Sequence, residues 1–256
     1  MSELRILYRD RDFIAIDKPS GLLVHRSEID RRETRFVLQM LRDQIGQRVY
    51  PVHRLDKPTS GVLLFGLYPE AAGRMQQVFR ERRVSKSYLA VVRGYLEAAG
   101  EIDYSLSDKR EREEKRRPED VRPPQPAVTR YQGLARAEIP VPLGRYASCR
   151  YSLVALYPQT GRKHQLRRHM NHIAHPIVGD TRYGEGGHNR LFRQRFDLNR
   201  LLLFATGLSF WHPFIEQRVE IRAGLPSAMA PLFEDFGWSL PELLPATPAF
   251  IQETTL

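Results

Sequence analysis

The stretch Val49-Tyr50-Pro51-Val52-His53-Arg54-Leu55-Asp56-Lys57-Pro58-Thr59-Ser60-Gly61-Val62-Leu63-Leu64-Phe65-Gly66 runs from a short β-type segment through a loop into an apolar run. Strands are expected over about 49–53 and over Val62–Gly66. The loop between them carries an acid among basic side chains, in the kind of position where folds display reactive groups. Pro58 and Gly61 fix the turn. Arginine close to a carboxylate favours its ionised form, which makes Asp56 a candidate nucleophile. A single aspartate in a basic loop also reads as an ordinary ion pair, so chemistry requires a second cluster.

Working outward, Leu4–Tyr8 and Phe13–Asp17 read as a hairpin turning at Arg9–Asp12, and Lys18-Pro19-Ser20-Gly21 breaks the pattern. Val37, Met40, Leu41 and Ile45 predict a helix over about 33–46. Ala71, Met75, Val78, Phe79 and Arg82 predict an amphipathic helix near 70–82. A compact strand follows over Tyr88–Val92. Asp108–Arg117 is ten charged residues in succession, followed by Pro118, Pro123, Pro124 and Pro126, and reads as a solvated loop. Strands are expected near 127–132 and 150–157, then a helix over about 163–173 with Leu166, Met170 and Ile173 as its core stripe. Leu201–Phe204, Leu208–Trp211 and Arg218–Ile221 read as three more strands, 226–236 as a last helix, and the Pro-rich end as a tail. Strands outnumber helices without alternating with them, which predicts an α+β fold: a mixed, mainly antiparallel sheet with flanking helices.

Composition narrows the function. The chain has 256 residues with 40 basic and 30 acidic side chains. Of the basic residues, 34 are arginine; residues 1–222 carry +14 and the remainder −4. Such a balance points to a polyanion partner. Cys149 is the only cysteine, which excludes a disulfide scaffold. No apolar run reaches the roughly 18–20 residues of a membrane span, and the first residues lack a signal-peptide layout. A cytoplasmic protein is expected. Neither G-x-G-x-x-G nor G-x-x-x-x-G-K-[ST] occurs, so no nucleotide cofactor is expected.

The second cluster is Thr160-Gly161-Arg162-Lys163-His164-Gln165-Leu166-Arg167-Arg168-His169. Cations at a helix start oppose the helix dipole, so they are expected to meet an anion, either a phosphate or Asp56. Arginine can grip a carboxylate with two nitrogens. His164, His169, His172 and His175 have no zinc-type spacing, and no metal is expected; contacts to backbone or RNA are.

Lys18–Leu22, His53–Gly61, Lys86-Ser87-Tyr88, Gly161–His169 and His175-Pro176-Ile177-Val178-Gly179-Asp180 occur in that order. Together they resemble the RluA-type pseudouridine synthases over about residues 4–225. Arg42–Gln47, Pro124–Thr129 and Gly144–Tyr146 extend the resemblance to members acting on tRNA. The resemblance implies a pseudouridine synthase fold around a central RNA-binding cleft. It implies a catalytic domain over 1–225 that includes the 108–126 loop, a C-terminal helix and tail over 226–256, and no separate N-terminal RNA-binding domain. It makes Asp56 the catalytic aspartate, Arg167 its partner and Tyr88 the ring against the target base. Arg54 is the arginine tied to base flipping, with His53, Lys86, Arg162, Lys163 and His164 as further RNA contacts. The implied substrate is tRNA at uridine 65, for a monomer using neither metal nor cofactor. Phe204 stands where many relatives have histidine, and an apolar side chain there implies packing. Alternative readings are a ribosomal RNA pseudouridine synthase and a non-catalytic RNA-binding protein on the same fold.

Overall fold

The computed structural model describes residues 3–25, 35–96, 98–107 and 123–239. The expected loop at 108–117 and the tail lie outside them. The chain begins with the hairpin β1 (Arg5–Arg9) and β2 (Phe13–Lys18), then α1 (Val37–Ile45), the short β3 (Tyr50–Pro51) and β4 (Ser60–Gly66). Next come α2 (Pro69–Arg80), β5 (Val84–Arg93), β6 (Ala99–Asp103), β7 (Val128–Ile139) and β8 (Cys149–Pro158). The last third contains α3 (Gln165–His172), α4 (Gly186–Phe196), β9 (Leu203–Trp211), β10 (Arg218–Arg222) and α5 (Ala230–Asp235).

The strands form one sheet in the order β1-β2-β4-β9-β5-β8-β7-β6, with β3 added to β4 and β10 to β9. The architecture is α+β, mixed and mainly antiparallel. Among the described strands of this sheet one pair is parallel, joining Ser60 to Phe204 and Gly61 to Ala205. Beyond that point β9 pairs with β10, from Gly207 to Trp211, so two antiparallel half-sheets meet at a two-residue seam. Gly61 makes the seam possible. Its φ is +112°, and a Cβ there would lie 2.1 Å from the Ala205 carbonyl oxygen.

The helices cover the sheet with the faces their periodicity predicts. Val37 and Leu41 of α1 are buried, as are Ala71, Ala72, Met75 and Val78 of α2. Leu232 and Phe233 of α5 join Phe192 of α4 and Phe204 in the same core as β8, so Phe204 does pack as its chemistry implies. The turn after α2 has the hydrogen bonds of a Schellman motif: Arg83 N–H donates to Val78 O and Arg82 N–H to Phe79 O. The left-handed residue that this motif needs is Arg82 (φ 59°) in place of the usual glycine, at a cost of about 1–2 kcal/mol.

Several boundaries differ from the expectation. The strand over 49–53 shortens to two residues, because His53 turns into the loop. Leu201–Phe204 and Leu208–Trp211 are not separate strands but parts of the continuous β9. The glycine between them, Gly207, lies against β5, where a Cβ would meet Ser87 Oγ at 2.4 Å. The sequence reading did not anticipate β6 or α4.

Candidate active site

The Asp56 loop leaves β3, passes the seam and enters β4. It is held from below by the segment after β2. Lys18, fully buried, donates its ammonium hydrogens to the carbonyls of Pro19 (2.9 Å), Leu22 (2.9 Å) and Lys57 (3.1 Å). Ser20 Oγ donates to Pro58 O at 2.7 Å and Gly21 N–H to Lys57 O at 2.9 Å. Thr59 N–H closes the turn on Asp56 O. Burial pushes the Lys18 ammonium down to about 7, against the attraction of Asp56. Read in the sequence as a breaker, Lys18 is the internal clamp on the loop that carries Asp56.

From this platform the Asp56 side chain, 19% exposed, faces a cleft of about 920 Å³. Its partner comes from α3: Arg167 Nη1 donates to Asp56 Oδ2 at 3.3 Å. The tighter contact of Arg167 lies on its other side. Nε and Nη2 donate to Asp180 Oδ2 and Oδ1 at 2.6 and 2.8 Å, a bidentate pair with both side chains almost wholly buried. Asp180 Oδ1 also accepts the amides of Arg182 and Tyr183. Burial alone would raise the Asp180 carboxyl, but the hydrogen bonds and charge of Arg167 outweigh it and hold the group below its ordinary value. Burial likewise works against the charge on Arg167, and the two carboxylates more than offset that. The fork therefore fixes Arg167 in place, and the remaining nitrogen is presented to Asp56.

Asp180 was missed as a site residue. It is the first acid after the arginine-rich cluster in the sequence, at the end of the quoted His175–Asp180 motif; that isolation was the available signal.

The other candidates surround Asp56. Tyr88 sits on β5 where the register with β9 shifts, and it lines the cleft. Burial, then the charge of Asp56, raises its phenol, which stays protonated. His164 Nε2 lies 3.8 Å from Asp56 Oδ1, while Nδ1 pairs with the Tyr183 hydroxyl at 3.0 Å. His164 caps α3 with a left-handed backbone (φ 54°), so it precedes the helix in which the sequence reading placed it. Burial outweighs the pull of Asp56 and lowers its imidazole, leaving it neutral near pH 7. Lys86 donates to Thr160 O at 3.2 Å, and burial, then the charge of Arg82, lowers it to about 8. Arg162 reaches Pro126 O at 3.1 Å, Lys163 lines the same wall, and Arg54 is exposed at the rim.

His53 also lines the cleft, but its ring is committed to the fold. It stacks on Phe79 at 4.9 Å, and Nε2 accepts the Leu64 amide at 3.0 Å. Of the other histidines in the 164–175 group, His169 pairs with Tyr104 O and His175 with Arg93 O, while His172 stacks on Tyr104 at 3.7 Å. Among the described residues, the one compact group with metal-ligand types is Asp10, Asp12 and His212, outside the cleft.

The cleft thus combines an acid with a locked arginine, an aromatic ring and cationic walls. Residues 12–172 match the family model described as RNA pseudouridylate synthase. The chain belongs to that family. It is 50% identical over 235 residues to tRNA pseudouridine synthase C of Vibrio vulnificus, covering 92% of this chain and 96% of that protein. With the protein of the same name from Pasteurella multocida it shares 52% over 237 residues, covering 93% and 98%. Among solved structures, human RNA pseudouridylate synthase domain containing 1 superposes with a TM-score of 0.69 at 30% identity, over 98% of this chain and 94% of that one.

Proposed function

We propose that the protein isomerises uridine to pseudouridine in tRNA, with Asp56 as the reacting carboxylate. The observation that carries this reading is the Asp56–Arg167–Asp180 chain of contacts at the base of a cationic cleft in a pseudouridine synthase fold. The tRNA substrate rests on the names of the relatives above, and uridine 65 on the motif resemblance. The same reading makes residues 1–225 the catalytic domain of a cytoplasmic monomer.

In the reaction the N1–C1′ bond breaks, the uracil turns, and C5 bonds to C1′. The C5 proton leaves to solvent and N1 gains one, so oxidation state is unchanged. The chemistry draws on neither metal nor cofactor. A paired uridine must first leave its helix, which costs a few kcal/mol. Stacking on Tyr88, worth about 1–3 kcal/mol, and contacts from Arg54 and the Arg162–His164 wall offset that. Asp56 then acts on the ribose, as nucleophile at C1′ or base at C2′. Either role needs an ionised carboxylate with a free lone pair. Arg167 supplies charge at one oxygen while leaving the carboxylate open to the cleft.

The test is tritium release from tRNA carrying 5-tritiated uridine, with a chelator present. Stoichiometric release is expected at one uridine, mapped to position 65. No release from tRNA but release from ribosomal RNA would replace the substrate, and binding without release from either would leave a binding protein.

A further inference from the structure

The cleft extends well beyond Asp56, and its α2 side is lined by Gln76, Phe79, Arg80, Arg82, Val84 and Lys86. Four arginines lie on or just after α2, and three are engaged. Arg74 pairs with Glu70 at 2.9 Å, Arg80 reaches Gln77 Oε1 at 2.7 Å, and Arg83 pairs with Glu81 at 2.8 Å. The Arg82 guanidinium has no acid and no hydrogen-bond acceptor among the described residues. Its backbone occupies the left-handed position just after the C-cap residue Glu81, where glycine would be unstrained. The charge closest in function is a like one, since Arg82 disfavours the Lys86 ammonium. A strained backbone, an unpaired cation and a second cation in one cleft wall mark a site built for an anion brought from outside.

We propose that Arg82, flanked by Lys86, forms a phosphodiester-binding subsite for the RNA strand next to the reacting uridine. The subsite rests on the pseudouridine synthase reading for the identity of its RNA, and its position in the cleft places it on the backbone flanking the flipped nucleotide. The arginine just past the cap gives up local stability that glycine would recover, and gains a guanidinium whose backbone is held in a short, hydrogen-bonded turn.

The test compares wild type, Arg82→Gly and Arg9→Ala for binding to an unmodified tRNA transcript at several salt concentrations, with thermal unfolding of each. Arg9 is exposed on β1 and controls for loss of a positive charge alone. Arg82→Gly should bind about 3- to 10-fold more weakly, with a salt dependence shallower by about one counterion. Its midpoint of unfolding should be equal or higher, because glycine relaxes the cap, and Arg9→Ala should bind like wild type. Unchanged binding by Arg82→Gly, an equal loss in Arg9→Ala, or a lowered midpoint in Arg82→Gly would each overturn the subsite. Saturable binding of inorganic phosphate alone, lost in Arg82→Gly, would overturn the RNA assignment in favour of a small anion. Tritium release by wild type reports separately on the isomerase reading: if it fails while Arg82→Gly still weakens binding, the subsite stands and that reading falls.

Discussion

Two clusters of acids and bases sit near opposite ends of β2. At its far end is Asp56 with Arg167, Asp180 and His164; at its start is Asp10 with Asp12 and His212. The second is closed. Asp10 Oδ1 accepts the amides of Asp12 and Phe13, and Oδ2 takes the Tyr8 hydroxyl and His212 Nε2–H at 3.0 Å. Asp12 takes the Tyr68 hydroxyl. Phe214 N–H donates to His212 Nδ1, which fixes the imidazole tautomer. Burial would raise the Asp10 carboxyl, but the Tyr8 hydroxyl and the two amides outweigh it and lower it. These bonds tie the β1–β2 turn to the end of β9. In the first cluster Asp180 is equally saturated, whereas the Asp56 carboxylate accepts one hydrogen bond among the described residues, at 3.3 Å, and faces the cleft. Residue types alone do not separate scaffold from site. Spare acceptor capacity facing a cavity does.

The comparison can be broken where the saturated member supports the open one. Asp180→Asn removes half of the fork and frees Arg167 to tilt, so turnover should fall about 100-fold with little change in KM. Loss of the buried charge should also cost about 3–5 kcal/mol of stability. Full turnover in this variant would show that Arg167 does not need the fork.

Lys18→Met should leave three loop carbonyls without their donor and lower stability by at least about 3 kcal/mol, read as a fall in the unfolding midpoint together with lost turnover. At the closed cluster, Asp10→Asn should lower stability by about 1–3 kcal/mol and leave turnover untouched; an effect on rate would make the two ends of β2 one machine. The most gradual effect is a pH slope. Burial lowers the His53 imidazole to about 3 from its ordinary 6.5. Between those values the unfolded chain binds a proton that the folded chain excludes, so stability falls as pH drops below 6.5. The slope is up to about 1.4 kcal/mol per pH unit. Burial also lowers His164, His169 and His188, so denaturant titrations across that range should show a slope in wild type that His53→Gln reduces without abolishing.

Local pattern made much of the fold legible. The β1–β2 hairpin, α1 and α2 follow from alternation and helical spacing, and both reactive loops follow from their clustered charge. What escaped was set by contacts distant in sequence. Gly207 looks like a break and is instead the place where β5 comes close to β9. The α4 helix opens on Gly186-Gly187 and buries only His188 and Phe192 among several arginines, too weak a stripe to read. A fully buried lysine is rare enough that Lys18 read as a turn residue. Asp180 meets Arg167 only because α3 folds back over the segment that follows it. The chemistry of the two clusters, by contrast, calls for an anion beside the cations of the second, either a phosphate or Asp56, and the family resemblance singles out Arg167 as the partner of Asp56.

The central claim is that the Asp56 carboxylate, not the cleft as a whole, performs the reaction. The most direct measurement is tritium release by Asp56→Asn beside wild type on 5-tritiated tRNA, with tRNA binding and the unfolding midpoint measured on the same preparations. The account predicts intact binding, an unchanged fold and turnover lowered by at least about a thousandfold, since asparagine keeps the shape but has neither the charge nor the nucleophilic oxygen. Release within tenfold of wild type would contradict it and move the chemistry to another residue of the cleft.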